Sequence, residues 1–466
     1  MDKKTLERTY KRIEDFVFDL KLKDALDALK DLVISSRRGD LISQFENQDD
    51  TYEKLLKYTI QGVQDPEKDK VYNHLLISVL ELADVSLQYA SMNQSEHYIY
   101  RLKKKIEFES KQIKEEVLNS IEDLVIEEEL SDMLVSSLDQ DKEEYNAYLR
   151  HQEVLQSIFN LIWLTDKFND SDENLLQSIW KSKRFPWHEK SIMISGLTLS
   201  AIRCFDRKKI SLLIEFSFNS NMEVRQRALV GLFLTLYIYD KRLFLYPDLL
   251  EKIKSLKSVP GIEKHLELIV IQFLKSKQTE KITRKLQEEI IPEMVKFQPV
   301  LRDKLDLDNI LSKDFMEDKN PDWERVFEDA PDLLDKLQEI SKLQMEGADV
   351  FMSTFAMLKH FEYFNELINW FRPFYKENIY LRKELETEKN LLNTDTFLEG
   401  LSLSFFMCNS DKYSFCLNLK EMPAMQKSLM LEMFNAELEG IKVLQQEDDL
   451  LNKPEHMKSI YSQYIH

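Results

Sequence analysis

Two stretches of sequence decide the fold of this chain. They read SIMISGLTLS at Ser191–Ser200 and QRALVGLFLT at Gln226–Thr235, and corresponding residues lie 35 positions apart. Both are apolar stretches of helical character with a glycine at the same point, Gly196 in one copy and Gly231 in the other. A glycine inside a helix costs about 1 kcal/mol relative to alanine. Its recurrence predicts that neighbouring helices approach closely at both positions.

Each copy follows a shorter predicted helix, Asn174–Trp180 in one case and Lys208–Phe216 in the other. The flanking stretches Val154–Asp166 and Pro247–Lys275 have suitable lengths for further helices of the same kind. A helical hairpin cannot bury its apolar face alone, so the sequence predicts stacked hairpins.

The second copy begins with NSNMEVRQRAL at Asn219–Leu229, which resembles the HEAT repeat in its turn, its Val-Arg pair and the small residue that follows. In the preceding copy, Glu189 and Lys190 replace that pair. The resemblance covers residues 151–276. It implies an α-solenoid of stacked helical hairpins that presents an extended surface to partners.

Composition supports an all-α chain with helical segments on both sides of these repeats. Only 8 glycines and 11 prolines occur in 466 residues, too few for loop-rich β-sandwiches or glycine-cradled nucleotide folds. Hydrophobic residues make up 43% of the chain, which is enough for a substantial core. The net charge of −19 argues against nucleic acid or an anionic membrane as the main partner.

Four segments follow from the sequence: an N-terminal helical segment (1–150), the HEAT-like segment (151–276), a polar linker or boundary (277–320), and an aromatic-rich helical segment (321–466). Within the first, Gly39 is predicted to terminate a helix that begins near Leu22. The charged stretch Ser95–Glu127 is predicted to be either a coiled-coil-like arm or a kinked pair of packed helices.

A second resemblance rests on Asn320–Trp323, Leu343–Phe355 and Asn369–Phe374. Together they look like a block found in a poorly characterised group of large bacterial tetratricopeptide-repeat proteins. The resemblance implies that this chain corresponds to the N-terminal part of such a protein. It brings no catalytic residues. The end of the chain, Ser459–His466, has the pattern of an unfinished helix.

Targeting signals and cysteine usage favour a cytoplasmic protein. The first residues, Met1–Arg8, are charged and lack the apolar core of a signal peptide. The longest apolar stretch, Ala228–Tyr239, is shorter than the roughly 20 residues that span a bilayer. Three cysteines cannot build a disulfide framework.

No motif for catalysis, cofactor binding or metal binding emerges from the sequence. The chain contains no phosphate-binding glycine loop, no His-Glu-x-x-His pair and no Gly-x-Ser-x-Gly elbow, and its eight histidines are scattered. Cys408 and Cys416 are expected to be core or half-buried thiols on adjacent helices, because a zinc site needs four ligands. We therefore expect no enzyme and no cofactor.

Three basic clusters leave several possibilities open. They are Arg101–Lys105, Lys181–Arg184 and Arg203–Lys209. Such clusters could line up as a basic ridge that binds nucleic acid, recruit an acidic protein, or lie at solvated helix ends.

An aromatic segment, Phe361–Tyr375, contains seven aromatic residues in fifteen and is either the core of a helical hairpin or a binding surface. Four rings crowd Pro373 and cannot all face one core stripe, so they are the candidate partner-binding residues: Trp370, Phe371, Phe374 and Tyr375. The leading hypothesis is a cytoplasmic scaffold or adaptor that binds a protein partner. The alternative is nucleic-acid association through the basic ridge.

Overall fold

The fold was analysed in a computed structural model, which describes residues 1–62, 66–94, 97–133, 140–285, 359–386, 393–404, 407–422 and 454–465, with scattered positions between 288 and 427. Every regular element in these ranges is a helix, which confirms the all-α class. The chain divides into two compact units, Met1–Pro260 and Gly261–His466.

The first unit is built from α-helices, with 3₁₀ turns at Asp240–Leu245 and Leu256–Ser258. In chain order the helices are α1 (Lys3–Phe18), α2 (Leu22–Ser36), α3 (Gly39–Ile60), α4 (Lys68–Gln94), α5 (Tyr98–Met133), α6 (Gln140–Leu164), α7 (Asp170–Lys181), α8 (Trp187–Arg203), α9 (Arg207–Phe216), α10 (Met222–Ile238) and α11 (Pro247–Ser255).

Helices α8 and α10 reproduce the sequence repeat. Each has 17 residues, and both of their ends are displaced by 35 residues. The start of α10 is fixed by Asn221, whose side chain accepts a hydrogen bond from the Val224 backbone N–H. Helix α8 packs against both α6 and α10.

The predicted close approach at the two glycines is confirmed. A Cβ atom at Gly196 would lie 3.1 Å from Cδ2 of Phe159 on α6. A Cβ atom at Gly231 would lie 3.1 Å from Cβ of Thr198 on α8 and closer still to its hydroxyl. Each glycine therefore lets its helix lie close against the preceding long helix.

The predicted helix end at Gly39 is wrong. Helix α2 ends at Ser36, and its C-cap residue is Arg37, which adopts the left-handed conformation (φ 56°). The Arg37 backbone N–H closes the last turn on the carbonyl oxygen of Ile34. Gly39 is instead the first residue of α3, so arginine occupies the position where glycine is usual.

Residues 98–133 form α5, a single helix of 36 residues that packs against α6, rather than a pair of helices. Helix α4 is the one helix of the described residues that is long and apolar enough to cross a membrane, with a mean hydropathy of 1.3 in its best window. However, 56% of that window is buried inside the protein, and Asp84 within it is ion-paired. These features are typical of a core helix and are compatible with a soluble protein.

The second unit begins with a long helix, and 3₁₀ turns at Glu362–Asn365 and Leu367–Trp370 lie between this helix and several shorter ones. The α-helices are α12 (Ile262–Lys285), α13 (Ile379–Glu384), α14 (Thr394–Leu403), α15 (Asn409–Glu421) and α16 (Pro454–Ile465). Helix α12 packs against α16, where the Tyr461 hydroxyl lies 2.6 Å from Nδ1 of His265. A separate core joins the 3₁₀ turns to α13, α14 and α15.

Most of the predicted 277–320 boundary lies outside the described residues. So do Asn320–Trp323 and Leu343–Phe355, two of the stretches that resemble bacterial tetratricopeptide-repeat proteins.

Candidate partner-binding surfaces

The aromatic segment folds as two short 3₁₀ turns followed by a stretch without regular secondary structure, rather than as a helical hairpin. Trp370 ends the second turn and is 41% exposed. Its indole Nε1 donates a hydrogen bond to the carbonyl oxygen of Phe364 (2.8 Å), and the two rings meet edge to face. One face of the Trp370 side chain is therefore held by the protein while the rest of the ring is accessible to a partner.

The other three candidate rings lie deeper. Phe371 and Tyr375 are half-buried, whereas Phe374 is buried in the core between the turns and the helices. The ring of Phe374 lies edge to face with Tyr413 of α15, and its backbone N–H donates to the side-chain oxygen of Asn409 (3.1 Å). The Tyr413 hydroxyl in turn donates to the Pro373 carbonyl oxygen (3.0 Å). The candidate residues thus divide into one exposed ring, two intermediate rings and one core ring.

A buried ion pair lies beside the exposed tryptophan. The Lys359 ammonium is 2.7 Å from the carboxylate of Asp411 and 5.2 Å from the centre of the Trp370 ring. Burial raises the pKa of Asp411, while Lys359 acts in the opposite direction. The Lys359 ammonium therefore forms an ion pair with a buried carboxylate and a cation–π contact with the Trp370 ring.

Several cations of the Arg101–Lys105 and Arg203–Lys209 clusters form ion pairs within the first unit. Lys103 is buried with its ammonium 2.5 Å from Asp166, which also accepts from Arg203 (3.0 Å). Lys208 pairs with acidic residues of α7, and Arg207 lies 2.7 Å from Asp248. Much of the positive charge of the Arg203–Lys209 cluster is thus balanced by carboxylates.

Lys209, in the third basic cluster, is a cation that does not lie at the surface. It is fully buried, and its ammonium donates to the carbonyl oxygens of Thr165 and Asp166 (2.6 Å each), just beyond the last residue of α6. Burial lowers the pKa of Lys209 to about 8. The cation caps the end of α6, where the helix dipole favours positive charge, instead of facing solvent.

A buried ionic network centred on Arg242 was not predicted from the sequence. Arg242 lies in the 3₁₀ turn after α10 and donates to Asp84 of α4, Glu14 of α1 and the Tyr10 hydroxyl. Lys167 also donates to Asp84 (2.9 Å). In the sequence Arg242 directly follows Asp240 and Lys241, and nothing in that charged run marks the arginine as buried. The network ties the N-terminal helices to the repeat.

A groove of about 430 Å³ opens in the first unit between the α2–α3 corner, α4 and α5. We call it the α2–α5 groove. It is lined by residues from all three places: Ser36, Arg37, Arg38, Tyr89, Met92, Asn93, Lys104, Glu107 and Phe108.

The sides of the α2–α5 groove are fixed by polar contacts. The Asn93 amide donates to the Ser36 carbonyl oxygen (2.8 Å), which joins α4 to the end of α2. The Arg38 guanidinium lies 4.5 Å from the centre of the Tyr89 ring and forms two hydrogen bonds to Asp40. Burial raises the pKa of both Tyr89 and Glu107. The floor is therefore aromatic and partly buried, and its rim is basic.

Within the described residues, no group of three or more histidine, cysteine, aspartate or glutamate side chains is arranged to hold a metal ion. The expectation that Cys408 and Cys416 lie on adjacent helices is wrong, because Cys408 is the N-cap of α15 and Cys416 lies inside the same helix. Cys416 is buried, so of these two thiols only that of Cys408 is partly accessible.

Comparison with known proteins assigns this chain to no family. No protein-family model, curated protein or solved structure matches the chain.

Proposed function

We propose that this chain is a non-enzymatic cytoplasmic scaffold or adaptor that binds a protein partner on a surface of stacked helical hairpins. The observation that carries this function is the 35-residue displacement of α8 and α10, with close packing at Gly196 and Gly231. Hairpins stacked at a constant displacement would form a HEAT-like solenoid over residues 151–276. The extended surface of a solenoid suits recognition of a protein segment without bond chemistry.

The aromatic segment is the proposed anchor in the second unit. Trp370 is exposed yet held by its hydrogen bond to Phe364, so it loses little conformational freedom when a partner covers it. Phe371 and Tyr375 flank it, while Phe374 supports the segment from the core. Rigid aromatic rings of this kind often supply much of the free energy of binding at protein interfaces.

A protein partner is favoured over nucleic acid by the distribution of charge. The chain carries a net charge of −19, and the Arg203–Lys209 part of the basic ridge is largely paired with carboxylates. Phosphate binding needs unpaired cations, whose counterion release makes it strongly dependent on salt.

Affinity purification of the tagged full chain from its own cytosol tests the proposal. We expect a protein partner in stoichiometric amount that stays bound when NaCl is raised to about 0.5 M, where exposed charges are largely screened. The Trp370→Ala variant should lose the partner while retaining its helical circular dichroism. Tyr58→Ala, which removes an exposed aromatic ring from α3, is the matched control and should retain it.

An eluate without a stoichiometric protein would contradict the scaffold function. Co-eluting RNA or DNA that is lost on raising the salt would instead support the basic ridge. A partner retained by Trp370→Ala would remove the aromatic segment from the proposal.

A further inference from the structure

The α2–α5 groove combines unbalanced positive charge with an exposed aromatic ring. Arg37 and Lys104 are exposed, and neither forms an ion pair within the described residues. Arg38 shares its charge with Asp40, and Glu107 is the one acidic residue of the lining. The lining therefore carries three cations against one anion in a protein whose net charge is strongly negative.

We propose that the α2–α5 groove docks an acidic peptide segment of a partner protein that carries an apolar anchor residue. This role rests on the proposed scaffold function and gives it a second surface with a defined partner chemistry. Carboxylates of the peptide pair with Arg37 and Lys104, and the apolar anchor packs between Phe108 and Met92.

Charge complementarity selects the acidic part of the peptide. Arg37 comes from the corner after α2 and Lys104 comes from α5, so the two cations stand on different walls of the groove. Carboxylates along one extended segment can meet both walls at once. The negative charge of the rest of the protein repels an acidic chain elsewhere and directs it to this site.

The apolar anchor is selected by Phe108. Its side chain is 92% exposed on α5, although it lies next to the groove that contains the buried Met92 and the half-buried Tyr89. A phenylalanine in this position leaves most of its apolar surface in water. A leucine or aromatic side chain of the peptide, inserted beside it, would cover that surface and the groove floor together.

Nucleic acid fits the groove less well than a peptide does. Only two cations of the groove lining, Arg37 and Lys104, lack an ion pair within the described residues, which is few for a phosphate backbone. A volume of about 430 Å³ holds a few amino-acid side chains and lies within the range of small binding pockets. The groove thus fits a short recognition segment.

The backbone at Arg37 provides a clean test. Its left-handed conformation (φ 56°) is easier for glycine than for arginine, so Arg37→Gly removes the charge without adding strain to the folded chain. The Arg37 side chain is therefore not required for the backbone conformation of the α2–α3 corner. Lys104→Gln and Phe108→Ala remove the other two contacts from an exposed helix face. Lys30→Gln is the matched control, because Lys30 is exposed on α2 outside the groove.

The experiment uses the full chain and three fluorescein-labelled peptides of about twelve residues. The first alternates glutamate with leucine and phenylalanine, the second has serine at the apolar positions, and the third has lysine at the acidic positions. A labelled oligothymidylate of similar length is the fourth probe. Binding is measured by fluorescence anisotropy at moderate salt, and folding of each variant by thermal denaturation.

We expect saturable binding of the first peptide and at least tenfold weaker binding of the second and third. Arg37→Gly, Lys104→Gln and Phe108→Ala should each weaken the first peptide about tenfold, the effect of a contact worth about 1.4 kcal/mol. Lys30→Gln should bind like the unmodified chain. The melting temperature of Arg37→Gly should equal or exceed that of the unmodified chain.

Absence of saturable binding, or binding that the three groove variants leave unchanged, would overturn this proposal. Tighter binding of the oligothymidylate that Arg37→Gly abolishes would assign the groove to nucleic acid instead. These outcomes are separate from the affinity purification. Failure of the peptide experiment would remove only the groove, whereas absence of any stoichiometric protein partner of the unmodified chain would remove the scaffold function.

Discussion

Arg242 and Asp84 form two parallel hydrogen bonds of 2.9 Å between side chains that lie 158 residues apart in the chain. Both residues are buried, and the pair joins the turn after α10 to the middle of α4. Burial by itself would raise the pKa of Asp84, but the charges of Arg242 and Lys167 and their hydrogen bonds hold it below its usual value. The pair is thus a long-range link between the N-terminal helices and the repeat.

Arg242→Met should strongly destabilise the first unit. Methionine fills part of the space but leaves the Asp84 carboxylate buried with less compensation, which typically costs about 3–5 kcal/mol. Urea denaturation followed by circular dichroism measures the loss. Arg207→Met is the control, since its ion pair with Asp248 is exposed and should contribute less than about 1 kcal/mol. Equal effects of the two substitutions would show that the buried network adds no particular stability.

Lys209 should make stability rise with pH in the alkaline range. Its folded-state pKa of about 8 lies below the usual 10.5, so between these values the unfolded chain binds more protons at this site. The unfolding free energy of the unmodified chain should therefore increase relative to Lys209→Met as pH rises through this window. Urea titrations at about pH 7.5 and about pH 9.5 measure the difference, and a constant difference would contradict the lowered pKa.

Gly231→Ala should destabilise the repeat by about 1–3 kcal/mol, because the added Cβ would crowd both the hydroxyl and Cβ of Thr198. Gly39→Ala is the matched control. A Cβ there meets no atom within 4 Å, and alanine favours helix, so the change should be neutral or stabilising by up to about 1 kcal/mol. Thermal denaturation of both variants compares them. If Gly231→Ala matched Gly39→Ala, close packing would not explain the repeated glycine.

Phe374→Ala and Trp370→Ala should differ in their effect on stability. Phe374 is buried against Tyr413, so its truncation should cost about 3–5 kcal/mol. Trp370 is 41% exposed, and its truncation should cost clearly less, through loss of the hydrogen bond to Phe364 and one ring contact. Denaturant titration of the full chain measures both. A larger loss for Trp370→Ala would place this ring in the core rather than on a binding surface.

Helix content and the repeat were predictable from local sequence. The 35-residue offset locates two 17-residue helices correctly. The apolar pattern and the glycine of each helix reflect its packing against an adjacent helix. The end of α2 was not predictable in the same way. Glycine at position 39 suggested a helix end, but Arg37 takes the left-handed position because its N–H can still close the turn on Ile34.

The candidate surfaces were predictable only in part. Crowding of four rings around Pro373 correctly implied that they face different surroundings, but the sequence did not indicate which ring is exposed. The α2–α5 groove escaped prediction because its basic rim joins Arg37 to Lys104, from helices separated by two others. Lys103, next to Lys104, is buried on Asp166. A one-residue step on a helix turns a side chain by about 100°, and only the packed fold decides which face is solvent.

By itself, the sequence determined that this protein is all-α and acidic and that it contains two helical stretches 35 residues apart, because helix formation follows from short-range apolar spacing. Only the tertiary structure determined which charged side chains are buried and which are exposed. Arg242, Lys209 and Lys103 became interior cations because distant carboxylates and helix ends compensate them, whereas Arg37 and Lys104 were left in solvent. The free energy of a charge depends on burial and on partners far away in the chain, and neither is encoded in the residue's own neighbourhood.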